Sequence, residues 1–326
     1  MYKTKSMFIT VMILGTLITV FSNSWISMWM GLEINMMAFI PLIKKKGSKA
    51  AVEASMTYFL VQSVSSTIMM FSIVMNQLMM EYSVYSTITF IALMIKLGAA
   101  PFHMWVPEMM SKMKWNSCIT LMTWQKLAPM TMTMNISPKN EMLMMIVMMS
   151  TITGAVGGIN QTSLRKIMAY SSINHLGWLL SLNKIQNNWM FYFLIYSVMV
   201  TGTCSMFNKY NMLFINQVNS MNLSTSEKIA YATSMMSLGG LPPFIGFLPK
   251  WMVIQIMVQN GMILMMTVMV MFSLITLFYY MRTMSMMMIN QSSTNKWITF
   301  KSNPMIIKYM IGMNLSLPMA MIMNFI

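Results

Sequence analysis

Charged residues are scarce in this sequence of 326 residues, and aspartate is missing altogether. Only 8% of the positions carry a charge, whereas soluble globular domains carry about 25%. A chain with so few charges cannot cover a surface that faces water, and lipid is the environment that accepts an apolar surface. The composition therefore excludes an ordinary soluble domain and predicts an integral membrane protein.

Cysteine is also rare: Cys118 and Cys204 both lie in apolar runs, and neither belongs to a CxxC pair. A disulfide framework or an iron–sulfur cluster needs more cysteines at closer spacing. The sequence contains nothing that resembles a nucleotide-binding loop, a nucleophile–base pair or a set of metal ligands. We therefore expect no cofactor and no metal in this chain.

Hydrophobic residues occupy 57% of the positions and form long runs. A helix that spans a membrane requires about 20 mostly apolar residues. Division of the chain at polar and turn-forming clusters gives eleven candidate spans, at 7–22, 24–43, 50–76, 81–110, 117–135, 141–160, 163–182, 188–207, 228–258, 262–281 and 306–325. The segments 208–227 and 282–305 are polar enough to be surface connections. We expect a single all-α transmembrane domain over 1–326.

The formal net charge of +15 would suggest a nucleic-acid partner in a soluble protein. In a membrane protein, however, lysine and arginine collect on one side of the bilayer. If the eleven spans alternate, sixteen of these residues fall on the N-terminal side and only Lys139 and Lys184 on the other. This asymmetry predicts no nucleic-acid partner and an N-terminus on the negative side of the membrane.

Two spans, 81–110 and 228–258, are too long, because each would extend about 45 Å against a hydrocarbon core of about 30 Å. Both contain the pattern P-F-x-x-x-x-P-[E/K], at 101–108 and 243–250. Proline removes a backbone donor and clashes with the preceding turn, so we expect both helices to break. The residues expected at the breaks are Gly98, Pro101, Gly239, Gly240, Pro242 and Pro243. Proline kinks are common in membrane helices, but two interrupted spans with one motif favour an inverted-repeat transporter.

Four charged residues lie inside apolar spans: Glu33, Lys96, Lys126 and Lys250. An ionisable group at this depth is energetically costly and marks a functional site by default. An amine in an apolar environment gives up its proton more readily than in water, whereas a nearby carboxylate favours the charged form. The four residues therefore predict proton transfer. The alternatives are that the lysines extend to the membrane interface and that Glu33 satisfies a helix end.

Two histidines, His103 and His175, also lie in apolar spans. Histidine titrates near pH 6.5 and can relay protons, but isolated buried histidines are also common packing residues. We include His175 in the candidate proton pathway and assign no role to His103. A solvated face or a helix cap explains the glutamates near the span ends, Glu53, Glu108, Glu141 and Glu227.

Five segments together resemble the antiporter-like membrane-arm subunits of respiratory complex I. They are WMGLEINMMAFIPL (29–42), KLGAAPFHMWVPEM (96–109), LMTWQKLAPM (121–130), KIMAYSSINHLGW (166–178) and GGLPPFIGFLPKW (239–251). These segments follow the order of that family over about residues 10–282. The 53 methionines are similar to the usage of animal mitochondrial genomes.

The resemblance implies two inverted five-helix repeats, each with one broken helix, at about 7–135 and 141–282, and a flanking segment 283–326. It places the glutamate of the family's proton pathway at Glu33 and the lysines of the two broken helices at Lys96 and Lys250. The central lysine falls on Lys126, and the histidine between the repeats falls on His175. These are the residues that burial and charge had already indicated.

The resemblance also implies a function: proton translocation as a subunit of an NADH:ubiquinone reductase in the mitochondrial inner membrane. The N-terminus would lie in the matrix and the C-terminus in the intermembrane space. NADH, FMN, iron–sulfur clusters and ubiquinone would bind to other subunits, so this chain would hold no redox centre. The expected partners are the other membrane-arm subunits, including neighbouring antiporter-like ones, accessory subunits, and lipids such as cardiolipin.

Two alternatives remain at this point. A stand-alone cation/proton antiporter would use a similar row of charges, but it normally needs several carboxylates for its cation, and only Glu33 lies deep in a span. A structural spacer subunit would leave the four buried charges without a role. Purification in mild detergent separates these cases, because an antiporter survives alone and a subunit is purified with its partners.

Eleven spans require the loop at Lys44, Lys45 and Lys46 to lie on the same side of the membrane as the segment 282–305. We expect accessibility labelling in intact membranes to modify both segments from the N-terminal side, because the positive residues collect there. Labelling of the two segments from opposite faces would contradict the helix count.

Overall fold

The computed structural model describes residues 2–44, 48–79, 82–136, 140–182, 189–220, 224–289 and 304–316. The named elements in these ranges are all helices, in agreement with the predicted all-α class. Five described helices are long and apolar enough to cross a membrane: Trp25–Ile43, Lys49–Asn76, Glu141–Ile159, Trp189–Lys209 and Ile263–Met287. The apolar helices Lys5–Phe21 and Val84–Leu97 are shorter. The count of eleven spans stays a prediction.

Some predictions concern residues outside the described ranges. They involve Lys45 and Lys46, Lys139, Lys184, the segment 290–303 and the end of the last span, 317–326. The charge asymmetry and the orientation of the termini depend on these residues, and both stay predictions.

The chain divides into two compact units, Met1–Ser150 and Thr151–Ile326. The first unit holds α1 (Tyr2–Phe21), α2 (Trp25–Ile43), α3 (Lys49–Met79), α4 (Tyr82–Leu97), α5 (Trp105–Lys112), α6 (Trp115–Met122), α7 (Trp124–Asn135) and the start of α8 (Asn140–Ile159). In this unit α2 packs on α1 and α3, and α7 contacts α1, α2 and α4. The single domain and the repeat bounds stay predictions.

Two glycines allow α1 and α2 to approach closely. A Cβ atom at Gly31 would lie 2.8 Å from the carbonyl oxygen of Gly15, and one at Gly15 would lie 3.0 Å from that of Gly31. Small residues are the usual means by which membrane helices pack at short distance. This contact fixes the position of α2, which carries Glu33.

The second unit holds the end of α8, α9 (Leu164–Ser181), α10 (Trp189–Lys209), α11 (Ile215–Ser220), α12 (Thr225–Gly239), α13 (Phe247–Gln259), α14 (Ile263–Ile289) and α15 (Pro304–Asn314). Buried residues occupy every face of α9, from Leu164 to Ser181. A helix that is buried all round forms the core of its unit. α9 is therefore the element around which the second unit packs.

Both long spans are interrupted where the glycine and proline pattern predicted. α4 ends before Gly98, which has φ +71°, and α12 ends before Gly240, which has φ +75°. At the first break Gly98 N donates to Ile95 O and Ala99 N to Met94 O; Gly240 and Leu241 donate in the same way to Ser237 and Met236. This is the Schellman motif, in which glycine accepts the left-handed conformation without steric strain.

The predicted span 117–135 corresponds to α6 and α7, and the interruption between them was not predicted. The structure divides it into α6 and α7 at Thr123, whose backbone angles are φ −107° and ψ −74°. The Thr123 hydroxyl donates to the carbonyl oxygen of Ile119 at 2.7 Å, and a threonine that bonds to the preceding turn tends to bend a helix. Lys126 follows this interruption by three residues.

Two assignments of surface segments also need correction. Part of 208–227 forms α11, in which Ile215 and Val218 are buried, because these apolar side chains recur at helical spacing. Arg282 does not end a helix, since α14 continues to Ile289. Its guanidinium donates to the carbonyl oxygen of Gln161 at 2.7 Å, just beyond the end of α8, where a cation is favourable.

Gly154 and Gly158 form a GxxxG pattern, which is typical of close helix packing. A Cβ at Gly154 would lie 2.8 Å from the carbonyl oxygen of Tyr170 on α9. One at Gly158 would lie 2.7 Å from the ring of Tyr279 on α14. The packing interpretation of this pattern is therefore correct.

We expect Gly246→Ala to destabilise the second unit by about 1–3 kcal/mol, as overpacking does. A Cβ at Gly246 would lie 1.7 Å from the backbone carbonyl oxygen of Ser237, which cannot rotate away. The control is Gly312→Ala in α15, where a Cβ meets nothing within 4 Å. Thermal inactivation of the purified assembly measures both variants, and equal midpoints for the two would contradict the prediction.

Candidate functional site

Glu33 and Lys96 form an ion pair in the first unit. Nζ of Lys96 lies 3.8 Å from Oε1 of Glu33, and the two side chains are 3% and 22% exposed. This separation exceeds a hydrogen bond, although the attraction between the charges is strong where water is excluded. Oε1 of Glu33 is buried and accepts no hydrogen bond from the described residues. The pair is therefore close enough to interact and is not locked in one geometry.

The first helix break holds Lys96 in place. Lys96 occupies the last turn of α4, where the macrodipole favours a cation. Because the helix stops there, carbonyl groups of its last turn have no partner within the helix. The side-chain amide of Gln62 on α3 donates to the carbonyl oxygen of Lys96 at 3.2 Å. At this break the backbone carbonyl of Lys96 thus accepts a hydrogen bond from Gln62, and the side-chain amine of Lys96 lies near Glu33.

Lys96 and Lys126 line one cavity of about 30 Å³ in the first unit. A cavity of this size holds about two water molecules if its walls are polar. The polar lining residues besides the two lysines are Asn35, Tyr58, Gln62, Trp105 and Gln125. The geometry therefore brings two of the predicted lysines to a shared polar space.

Three of the lining residues form a hydrogen-bonded chain. The hydroxyl of Tyr58 donates to Oε1 of Gln125 at 3.2 Å, and Nε2 of Gln125 donates to Oδ1 of Asn35 at 3.0 Å. The sequence analysis missed these residues. Asn35 and Gln125 could have been identified, because each is an amide in an apolar span close to a candidate charged residue. Asn35 follows Glu33 by two positions, and Gln125 precedes Lys126. Tyr58 gave no signal, because buried tyrosines are common.

Lys250 completes the second helix break in a different way. Its amine donates to the carbonyl oxygen of Gly239, the last residue of α12, at 2.8 Å. The amine also lies 5.8 Å from the centre of the Trp178 ring. Among the described residues no carboxylate lies within ion-pair distance of Lys250. The carbonyl dipole of Gly239 therefore holds the amine of Lys250. The amine of Lys96, in contrast, lies near a carboxylate, that of Glu33.

His175 lies on α9, one turn before Trp178. Its Nδ1 is 2.9 Å from the hydroxyl of Tyr192, and its ring lies 4.9 Å from that of Tyr196. The second unit thus places tyrosine rings beside His175 and the Trp178 ring beside Lys250. Lys126 belongs to the first unit, so its predicted distance to these two residues stays a prediction.

Glu227 is a buried helix cap, which extends the interpretation made from the sequence. It completes a capping box with Ser224 at the start of α12 and accepts hydrogen bonds from Tyr210 and Lys209. Burial alone would raise the pKa of this carboxyl. The hydrogen bonds from Tyr210 and Ser224, together with the Lys209 ammonium, hold that pKa below its usual value.

Nδ1 of His103 lies 3.2 Å from the carbonyl oxygen of Pro101, within the first helix break. Both cysteines are buried thiols, and neither forms a disulfide in the described part of the chain. In the described part of the chain no three His, Cys, Asp or Glu side chains form a group that could hold a metal ion. The location of the cofactors in other subunits stays a prediction.

Comparison with known proteins first defines the class. Residues 22–276 match the family described as NADH:quinone oxidoreductase/Mrp antiporter, transmembrane. A chain in a structure of respiratory complex I from Thermus thermophilus with bound aureothin aligns with a TM-score of 0.83 at 18% identity, over 95% of this chain and 76% of that one. A chain of the Mrp complex from Dietzia sp. DQ12-45-1b aligns with a TM-score of 0.77 at 18% identity, over 85% and 59%. These structures establish an antiporter-like fold.

Curated relatives define more closely which member of this class the chain is. NADH-ubiquinone oxidoreductase chain 2 of Locusta migratoria is 43% identical over 93% of this chain and 91% of the relative. The chain 2 proteins of Anopheles gambiae and Oryctolagus cuniculus are each 41% identical, over 90% and 82% of this chain and 89% and 81% of the relatives. The chain therefore belongs to the NADH:quinone oxidoreductase/Mrp antiporter family, and within it to the NADH-ubiquinone oxidoreductase chain 2 proteins.

We expect Glu227→Gln to weaken the start of α12 by about 1–3 kcal/mol at neutral pH, because charge-assisted hydrogen bonds are lost. The depressed pKa means that the ionised carboxylate stabilises the fold above its usual pKa of about 4.3 and loses this effect as the pH falls below it. The variant and the native protein should therefore converge in acid.

Protection factors of the α12 amides, measured by hydrogen exchange from pH 7 to about pH 3, below the usual carboxyl pKa, test this expectation. Glu141→Gln, at an exposed position in the first turn of α8, is the control and should change little. A difference between variant and native protein that does not depend on pH would show that the charge of Glu227 contributes nothing.

Proposed function

We propose that this chain translocates protons as a membrane-arm subunit of an NADH–ubiquinone oxidoreductase. The proposed proton-exchanging groups are Glu33, Lys96, Lys126, His175 and Lys250. The observation that carries the proposal is the cavity shared by Lys96 and Lys126, with Glu33 3.8 Å from Lys96.

The chemistry of the first unit suits proton exchange. Desolvation favours the neutral form of a buried amine, and a nearby carboxylate favours the charged form. A change in the distance between Glu33 and Lys96 therefore changes how firmly Lys96 holds its proton. Ordered water in the cavity would connect Lys96 to Lys126 by hydrogen bonds, along which a proton can move. Arginine could not replace either lysine, because it does not deprotonate in proteins.

The second unit supplies the remaining groups. Lys250 donates to the last carbonyl of α12, so a movement of this helix end changes the surroundings of its amine. The hydroxyl of Tyr192 lies 2.9 Å from Nδ1 of His175, and a histidine titrates close enough to neutral pH to relay protons. We propose that both groups exchange protons as part of the same translocation pathway.

The remaining assignments are part of the same proposal. NADH, FMN, iron–sulfur clusters and ubiquinone belong to other subunits, and this chain contributes proton movement without a redox centre. Its partners are other membrane-arm subunits, including antiporter-like neighbours, together with accessory subunits and lipids such as cardiolipin. The chain lies in the mitochondrial inner membrane with its N-terminus in the matrix. Relatives at 39–43% identity are named NADH-ubiquinone oxidoreductase chain 2. These relatives argue against a stand-alone antiporter.

Lys126 provides the sharpest test. We expect Lys126→Met to leave assembly intact, because methionine fills the same apolar space. Proton transfer through this subunit should slow by about 100-fold or more, as when a general acid–base group is removed. Lys126→Arg should be nearly as damaging, because a permanent charge cannot relay a proton.

The measurement is the number of protons translocated per NADH oxidised by the reconstituted complex. Lys308→Met makes the same change at an exposed position on α15 and should have no effect. Normal proton translocation by the arginine variant would mean that charge alone matters and that Lys126 does not exchange protons.

A further inference from the structure

Tyr58 is a buried tyrosine of the first unit, and its hydroxyl donates a hydrogen bond to Gln125, the residue that precedes Lys126. Tyr58 lies on α3, is 3% exposed and lines the same cavity as Lys96 and Lys126. The rings of Phe39 and Trp105 lie 5.1 and 6.3 Å from its ring. Packing on two aromatic neighbours restricts the ring, so the hydroxyl oxygen has a defined position.

The hydrogen bonds around Tyr58 define the direction of its proton. A phenol has one proton to donate and oxygen lone pairs that accept. The proton goes to Oε1 of Gln125. In this arrangement Nε2 of Gln125 donates onward to Oδ1 of Asn35, so the chain of hydrogen bonds runs in one direction from Tyr58 to Asn35. The lone pairs of the Tyr58 oxygen therefore remain to accept from the cavity.

A neutral acceptor at this place suits a migrating cation. A buried ammonium needs hydrogen-bond acceptors, and each lysine amine carries three donors when charged. A carboxylate would attract the cation strongly at short range and would retain it. A hydroxyl oxygen stabilises a protonated amine or a protonated water much less, so the proton can move on.

A second observation indicates that the cavity is hydrated. Trp105 lines it, and its indole N–H is buried without an acceptor among the described residues. Buried polar groups without a protein partner are usually satisfied by ordered water. The volume of about 30 Å³ accommodates such water.

We propose that the Tyr58 hydroxyl is an additional station of the proton path between Lys96 and Lys126, and that Gln125 and Asn35 are positioning residues that orient it. This inference rests on the proposed function. Tyr58 does not lose its own proton; its oxygen accepts a hydrogen bond from the group that carries the migrating proton. Gln125 acts only through Tyr58.

The test uses the assembled complex in proteoliposomes. Tyr58→Phe keeps the ring and removes the oxygen, and we expect the proton transfer to slow by about tenfold, the loss of one hydrogen bond in the transfer step. The solvent deuterium isotope effect on proton translocation should increase, because the slowed transfer then limits the rate. Co-purification of the variant chain with the other subunits reports that the complex is assembled.

The matched control is Tyr85→Phe, which removes a hydroxyl from a different cavity of the same unit and should behave as the native protein. Gln125→Met should slow translocation less than Tyr58→Phe. The double variant should be no slower than Tyr58→Phe alone, because Gln125 acts through Tyr58. If Tyr58→Phe does not assemble, Gln125→Met and its isotope effect carry the test.

A native rate and a native isotope effect for Tyr58→Phe would overturn the inference, as would an equal loss for Tyr85→Phe or fully additive effects in the double variant. Lys126→Met decides the proposed function separately. If Lys126→Met is impaired and Tyr58→Phe is not, only the role of Tyr58 fails. If both variants translocate protons normally, the proposed function fails as well.

Discussion

Backbone polar groups inside a bilayer have to find partners within the protein, because hydrocarbon supplies none. In each broken helix, carbonyl groups of the last turn lack a partner within the helix and need one elsewhere in the protein. At the first break the Gln62 amide donates to the carbonyl of Lys96, and at the second the Lys250 amine donates to that of Gly239. The surroundings of both lysines therefore follow from the need to complete an interrupted helix where water is excluded.

The scarcity of acidic residues shapes the chemistry of the site. With no aspartate in the chain and one glutamate deep in a span, most acceptors near the buried lysines are carbonyl, amide and hydroxyl oxygens. Neutral acceptors bind a cation more weakly than a carboxylate does in the same environment. Glu33 therefore provides a charged partner for a buried lysine of the first unit, Lys96, and the neutral groups of the cavity can pass a proton onward.

Much of the fold could be predicted from the sequence, because its causes are local. Apolar runs of sufficient length define membrane helices, and glycine with proline breaks them through backbone geometry alone. The errors arose where the cause was less local. The interruption at Thr123 depends on a side-chain bond to the preceding turn, and α11 forms because its few apolar residues find a packing surface in the second unit.

The sequence by itself determined which charges matter, since a charged residue in an apolar run is costly wherever the helix lies. Only the tertiary structure decided what surrounds them. Tyr58 and Gln125 are 67 positions apart, and Gln125 and Asn35 are 90 apart. Their contacts depend on which faces of α2, α3 and α7 meet. Helical periodicity defines the face on which a side chain lies but not the helix that this face contacts.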